Sequence, residues 1–145
     1  MYSRSVTVSL LGALVLFIAQ AQPVASLERA GSSAAVRGQV ARANDEHPVG
    51  LQIASGEPIY LADRISSGTD SGMQIMLLDQ TTFTIGPDSF VKIDEFVYDP
   101  NTNAGKLTAT LGKGVFRFVT GKIAQTNPSS MTVKLPVATI ISSGR

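Results

Sequence analysis

Few residues in this chain can do chemistry, and their types narrow what that chemistry would be. There is no cysteine and a single histidine, His47. Thiolate metal sites, a cysteine nucleophile, disulfides, the lipid-bearing cysteine of a lipoprotein and any histidine-rich metal site are therefore excluded. Imidazole acid–base chemistry would rest on His47 alone, which precedes Pro48 in a loop and reads as a solvated surface residue. Thr69-Asp70-Ser71-Gly72 contains the Asp-Ser-Gly of a trypsin-like serine. That chemistry needs a histidine oriented by a buried aspartate and an oxyanion hole built by two barrels, about twice the material present, so the segment reads as a polar corner. Asp99, Asn101 and Asn103 place acceptors at alternate positions, like the start of an EF-hand loop. They are a weak metal candidate, because Ala104 and Thr110 stand where the loop needs glycine and a bidentate glutamate. Asp94 and Glu95 are adjacent, so on a regular strand they face opposite sides and cannot act together on one substrate. Arg117 lies between two valines on one face of a strand, and either drapes its stem over an apolar edge or contacts a partner. No catalytic residue and no cofactor is expected from this set.

The elements that hold these residues read as all-β. With 145 residues, 43% hydrophobic and 16% charged, the chain can bury one core and is not disordered by composition. Thirteen glycines and seven prolines interrupt it too often for long helices, and no window shows a 3.6-residue apolar stripe. Val36–Ala43, Leu51–Ile53 and Ile59–Leu61 read as short strands, followed by a corner through Asp63 and Gly68. Apolar pairs then recur at an eight-residue spacing: Ile75 and Leu77, Phe83 and Ile85, Val91 and Ile93. The turns between them hold Asp79-Gln80-Thr81 and Gly86-Pro87-Asp88-Ser89. This period fits either an antiparallel meander or sandwich, or successive rungs of a β-solenoid-like stack. Leu107–Leu111, Val115–Val119, Met131–Leu135 and Val137–Ile141 complete the strands, with Gly121–Ser130 a loop.

Residues 1–21 read as a secretory signal peptide: Arg4, an apolar run from Val6 to Ala19, and the small-residue site Ala19-Gln20-Ala21. Cleavage is expected after Ala21, with Val24-Ala25-Ser26 a second candidate and an uncleaved anchor the structural alternative. The run is shorter than the ~20 apolar residues that span a bilayer. Residues 22–35, rich in serine and alanine, read as a flexible lead-in, and 36–145 as one β domain. The expected location is periplasmic or extracellular. Charge is unevenly placed. From Asp45 to Asp99 there are ten acids against Arg64 and Lys92, whereas Pro100 to Arg145 holds six bases and no acid. Either the halves pair weakly across solvent, or they form an acidic and a basic face for separate partners. A formal net charge of +1 gives no electrostatic case for nucleic acid.

The order of Asp63-Arg64-Ile65-Ser66-Ser67-Gly68, Met73–Ser89, Val91-x-Ile93-Asp94-x-Phe96-x-Tyr98-Asp99, Gly112–Thr120 and Leu135-Pro136-Val137-Ala138-Thr139-Ile140 resembles the FecR domain, an extracytoplasmic module. The resemblance covers Gly50 to Ile140. It implies that Asp63, Gly68, Asp79, Gly86, Pro87, Ser89 and Asp94 are the family's turn and strand motif. Gln80 replaces the usual glycine and needs a turn that tolerates a side chain. The family's Gly-x-Arg-Gly-Thr continuation is replaced by Ile141-Ser142-Ser143-Gly144-Arg145, which implies a C-terminally truncated domain. About five residues precede the apolar run, so the cytoplasmic segment of the family's regulator does not carry over. The resemblance implies a non-enzymatic protein-binding or signal-sensing module of the bacterial cell envelope, linked to siderophore and iron signalling, whose partner is another envelope protein. A carbohydrate or cell-wall module using Tyr60, Phe90 and Tyr98 is the alternative. A truncated product without independent function is a third.

Overall fold

The computed structural model describes residues 18–19, 28–135 and 139–141. The signal-peptide reading and the family motif at 136–138 lie almost wholly outside those residues, as does the replaced C-terminal segment after Ile141. The described chain is all-β. In order it forms β1 (Arg29–Arg37), β2 (Val40–Ala43), β3 (Leu51–Gln52), β4 (Pro58–Tyr60), β5 (Arg64–Ser67), β6 (Gly72–Leu77), β7 (Thr82–Ile85), β8 (Phe90–Tyr98), β9 (Gly105–Leu111), β10 (Phe116–Val119), a short helix α1 (Lys122–Thr126), a 3₁₀ turn (Pro128–Ser130), β11 (Met131–Lys134) and β12 (Thr139–Ile141).

These strands make two sheets, one of five in the order β10-β7-β6-β1-β4 and one of seven in the order β12-β11-β9-β8-β5-β2-β3. Alternation along each strand sends one set of side chains between the sheets. Ile59, Ile75 and Phe83 from the first sheet share one core with Ile65, Val91, Ile93, Leu107 and Val133 from the second. Each such side chain contributes about 1.5–3 kcal/mol through burial. The eight-residue spacing is not a solenoid. Ile75 and Phe83 are direct cross-strand partners in the antiparallel β6–β7 hairpin, and Val91 belongs to the other sheet. Among the described strands only β9 and β11 pair in parallel.

Three boundaries differ from the sequence reading. The lead-in at 22–35 contains most of β1, which occupies an inner position between β6 and β4. Its small residues answer a packing demand: a Cβ on Gly31 would lie 2.2 Å from the Met76 carbonyl oxygen. Ser33 is buried, and its hydroxyl donates to Ala54 O at 2.6 Å and accepts from Glu57 N at 3.0 Å. Val36–Ala43 is not one strand, because the chain turns at Gly38 to pass from the five-stranded to the seven-stranded sheet. The stretch 121–130 is not a plain loop. It holds α1, whose Ile123 and Ala124 are buried in the core, and the 3₁₀ turn, capped by the Asn127 side chain accepting from Ser129 N.

Candidate functional site

The motif residues do not converge on one pocket; all but Asp94, which lies within β8, tie three separate corners of the fold. In the first, the buried Asp63 carboxylate accepts from Tyr60 N at 2.9 Å and lies 3.9 Å from Arg42 Nε. Arg42 also donates to Pro58 O at 2.7 Å and approaches Glu57 at 3.6 Å. Burial raises the Asp63 carboxyl above its ordinary value of 3.8, while the Tyr60 N–H and the Arg42 charge oppose that rise. Two small pockets of about 140 and 130 Å³ flank this corner, and exposed His47 lines one of them.

The second corner is where the chain crosses between sheets. Ser67 Oγ donates to Gly86 O at 2.6 Å and accepts from Ser89 N at 3.0 Å. Gly68 O accepts from Asp88 N at 3.1 Å. Ser89 Oγ donates to Pro87 O at 3.0 Å and accepts from Val115 N at 3.1 Å. Ser71 Oγ accepts from Gln39 N at 2.8 Å and donates to Thr69 O at 3.0 Å, so it is a corner residue committed to backbone, as the sequence indicates. In the third corner Gln80 adopts φ +71, the left-handed backbone that favours glycine, so the turn keeps the glycine-type conformation with a side chain in it rather than relaxing to suit one. Fully buried Asp79 accepts from Thr81 N at 3.0 Å, Thr81 Oγ1 at 2.8 Å and Ile123 N at 3.2 Å. Its backbone carbonyl accepts from Lys122 N at 2.7 Å. The sequence marks this motif as a turn; the structure shows that it also anchors the start of α1. Every buried side-chain nitrogen and oxygen among the described residues has a hydrogen-bond partner.

Asp94 and Glu95 do not face opposite sides. A bulge between Ile93 and Glu95 inserts Asp94 as an extra residue, so both carboxylates reach the outer face of the seven-stranded sheet. There Asp94 meets Lys92 at 3.6 Å and accepts from Thr110 Oγ1, while Glu95 meets Lys106 at 3.4 Å. Each acid is neutralised by a lysine on its own face. Asp99, Asn101 and Asn103 build the β8–β9 hairpin end. Asp99 Oδ1 accepts from Asn101 N at 2.9 Å and Asn103 Oδ1 accepts from Tyr98 Oη at 2.9 Å. Among the described residues no three histidine or acidic side chains group as metal ligands would. Phe90 and Tyr98 stand at opposite ends of β8, roughly 26 Å apart at strand rise, too far to stack on one sugar.

Arg117 is placed differently. Phe116 and Phe118 turn inward and are half-buried, with the Phe118 ring 6.1 Å from that of Phe83. Arg117 projects outward between Val115 and Val119, which are 67% and 54% exposed, and forms no ion pair among the described residues. Strand β10 is an edge of its sheet, with β7 its one neighbour in the order. None of the five strands of that sheet carries an acid, whereas they carry Arg29, Arg37 and Arg117. Arg37 also borders a groove of about 270 Å³ on this face, with Gly72, Gln74 and Thr84. The open backbone of β10 had no signature in the sequence, since edge position depends on which strands meet in space.

No curated protein and no solved structure matches this chain. Residues 63–145 match the family model described as FecR protein, more than half of the chain. The match opens on Asp63 and takes in β5 to β12, while β1 to β4, outside it, complete both sheets. With its corner residues, its all-β fold and this match, the chain belongs to the FecR family, a family of signalling and regulatory proteins.

Proposed function

We propose that this protein is an exported, non-enzymatic module that works in the cell envelope by binding another envelope protein. One observation carries the reading. The polar groups at the three corners are consumed in holding the fold, while a sheet edge stays open, among the described residues, beside an arginine with no ion-pair partner there. An enzyme places underused acids, bases or nucleophiles around a pocket, and the corners here are saturated. Family membership supports a role in signal relay, and iron- or siderophore-responsive signalling is the specific form of it that we favour. The apolar run at 6–19 and Ala19-Gln20-Ala21 support export, with cleavage after Ala21. The test is to express the full chain in a bacterial host, fractionate the cells and determine the N-terminus of the recovered protein. A periplasmic or secreted product beginning at Gln22 is expected. An intact Met1 product confined to the cytoplasm would overturn the reading.

A further inference from the structure

Building on that reading of function by protein contact, we propose that β10 receives an extended segment of the partner in which apolar and acidic residues alternate. The backbone directions make the first part of the case. Gly86 N donates to Val115 O at 2.8 Å, and the register runs Arg117 to Thr84 and Val119 to Thr82. In an antiparallel pair the bonding direction alternates by residue, so 115, 117 and 119 face β7. The N–H and C=O of Phe116 and of Phe118 point away from the sheet, and none of these groups is bonded among the described residues. They offer the template that strand addition uses.

The side chains then say what kind of strand fits. On the inner side the half-buried Phe116 and Phe118 rings end the core, so apolar side chains on an added strand would continue it. On the outer side Arg117 stands without a carboxylate among the described residues, and Lys113 and Lys122 lie beyond the two ends of the strand. Across β7, β10 and the turns that flank them, the only exposed acid is Asp88. An acid opposite or diagonal to Arg117 completes that pairing. A second copy of this chain fits worse. Antiparallel self-pairing through Phe116 and Phe118 centres on Arg117, bringing two guanidinium groups face to face. Arg117 therefore opposes self-association and selects an acidic partner by the same charge.

The test uses the full chain and a short peptide alternating valine and glutamate, with a lysine-for-glutamate peptide as its counterpart. The glutamate peptide is expected to bind about two- to thirtyfold more tightly, as opposite rather than like charges across strands would give, and to protect the Phe116 and Phe118 amides from hydrogen exchange. Arg117→Glu should invert the preference and Arg117→Gln should abolish it. N-methylation separates strand addition from charge attraction alone. An antiparallel segment bonds through its core-facing valines and a parallel one through its glutamates, so methylating one set should end binding and methylating the other should spare it. Equal affinity for the two peptides, or equal behaviour of the two methylated forms, overturns the proposal. Either result leaves the export experiment standing, because that reads compartment and N-terminus only.

Discussion

The three corners and the β10 edge divide the polar groups of this protein in opposite ways. At the corners, Asp63, Ser67, Asp79 and Ser89 each make hydrogen bonds that reach across a turn or between sheets. Strands of two to nine residues leave many backbone ends to satisfy, and these side chains supply the missing partners. At β10, bonding capacity is left over, and it belongs to the main chain. The residues that stand out as a motif therefore hold the frame, while the surface suited to contact is marked by one arginine and by missing acids.

Four substitutions would break or sharpen this contrast. The largest effect is expected for Asp79→Ala, which strands Thr81 N, Thr81 Oγ1 and Ile123 N without their acceptor. Unfolding free energy in urea should fall by about 3–5 kcal/mol, and a loss below about 1 kcal/mol would show that this corner does not hold the fold. Ser89→Ala should lose about 1–3 kcal/mol. Because Ser89 also accepts from Val115 N, hydrogen exchange should quicken at Val115 more than along β6; uniform quickening would mean that corner and edge are not linked there.

Asp63→Asn gives a smaller, pH-dependent difference. The folded carboxyl lies above 3.8, so the folded state keeps its proton to higher pH than the unfolded chain. The stability it contributes is full below 3.8 and is lost as pH rises through the raised folded value. Wild-type stability minus that of Asp63→Asn should therefore decline over that interval and then level off. A rise would show that the Arg42 attraction outweighs burial. The smallest stability effect belongs to Arg117→Gln, expected within about 0.5 kcal/mol of wild type because the side chain is exposed and forms no ion pair among the described residues. A large loss would make Arg117 part of the frame and erase the contrast.

Much of the frame was legible in the sequence because burial alternates as the residues do. Ile75 and Leu77, Phe83 and Ile85, and Val91 and Ile93 are all buried, with Met76 and Leu78 exposed beside them. What stayed hidden depends on neighbours distant in sequence. Gly31 and Ser33 resemble linker composition until β4 and β6 close around them. Five residues of α1 are too few to show a helical period, and the bulge at Asp94 is invisible until β9 sets the register. The candidate edge was half legible: Arg117 stood out by type, but its strand's open side did not.

The inner place of β1 has a consequence for synthesis on the ribosome. Its partners arrive late, with Arg29 opposite Tyr60 and Gly31 opposite Leu77. At roughly 5–20 residues per second of elongation, β1 waits seconds for β6, and its sheet is unfinished until β10 emerges. A nascent chain halted before Val119 lacks the strand that finishes this sheet, and a ribosome-stalling series should show protease resistance only once β10 and β11 have cleared the exit tunnel.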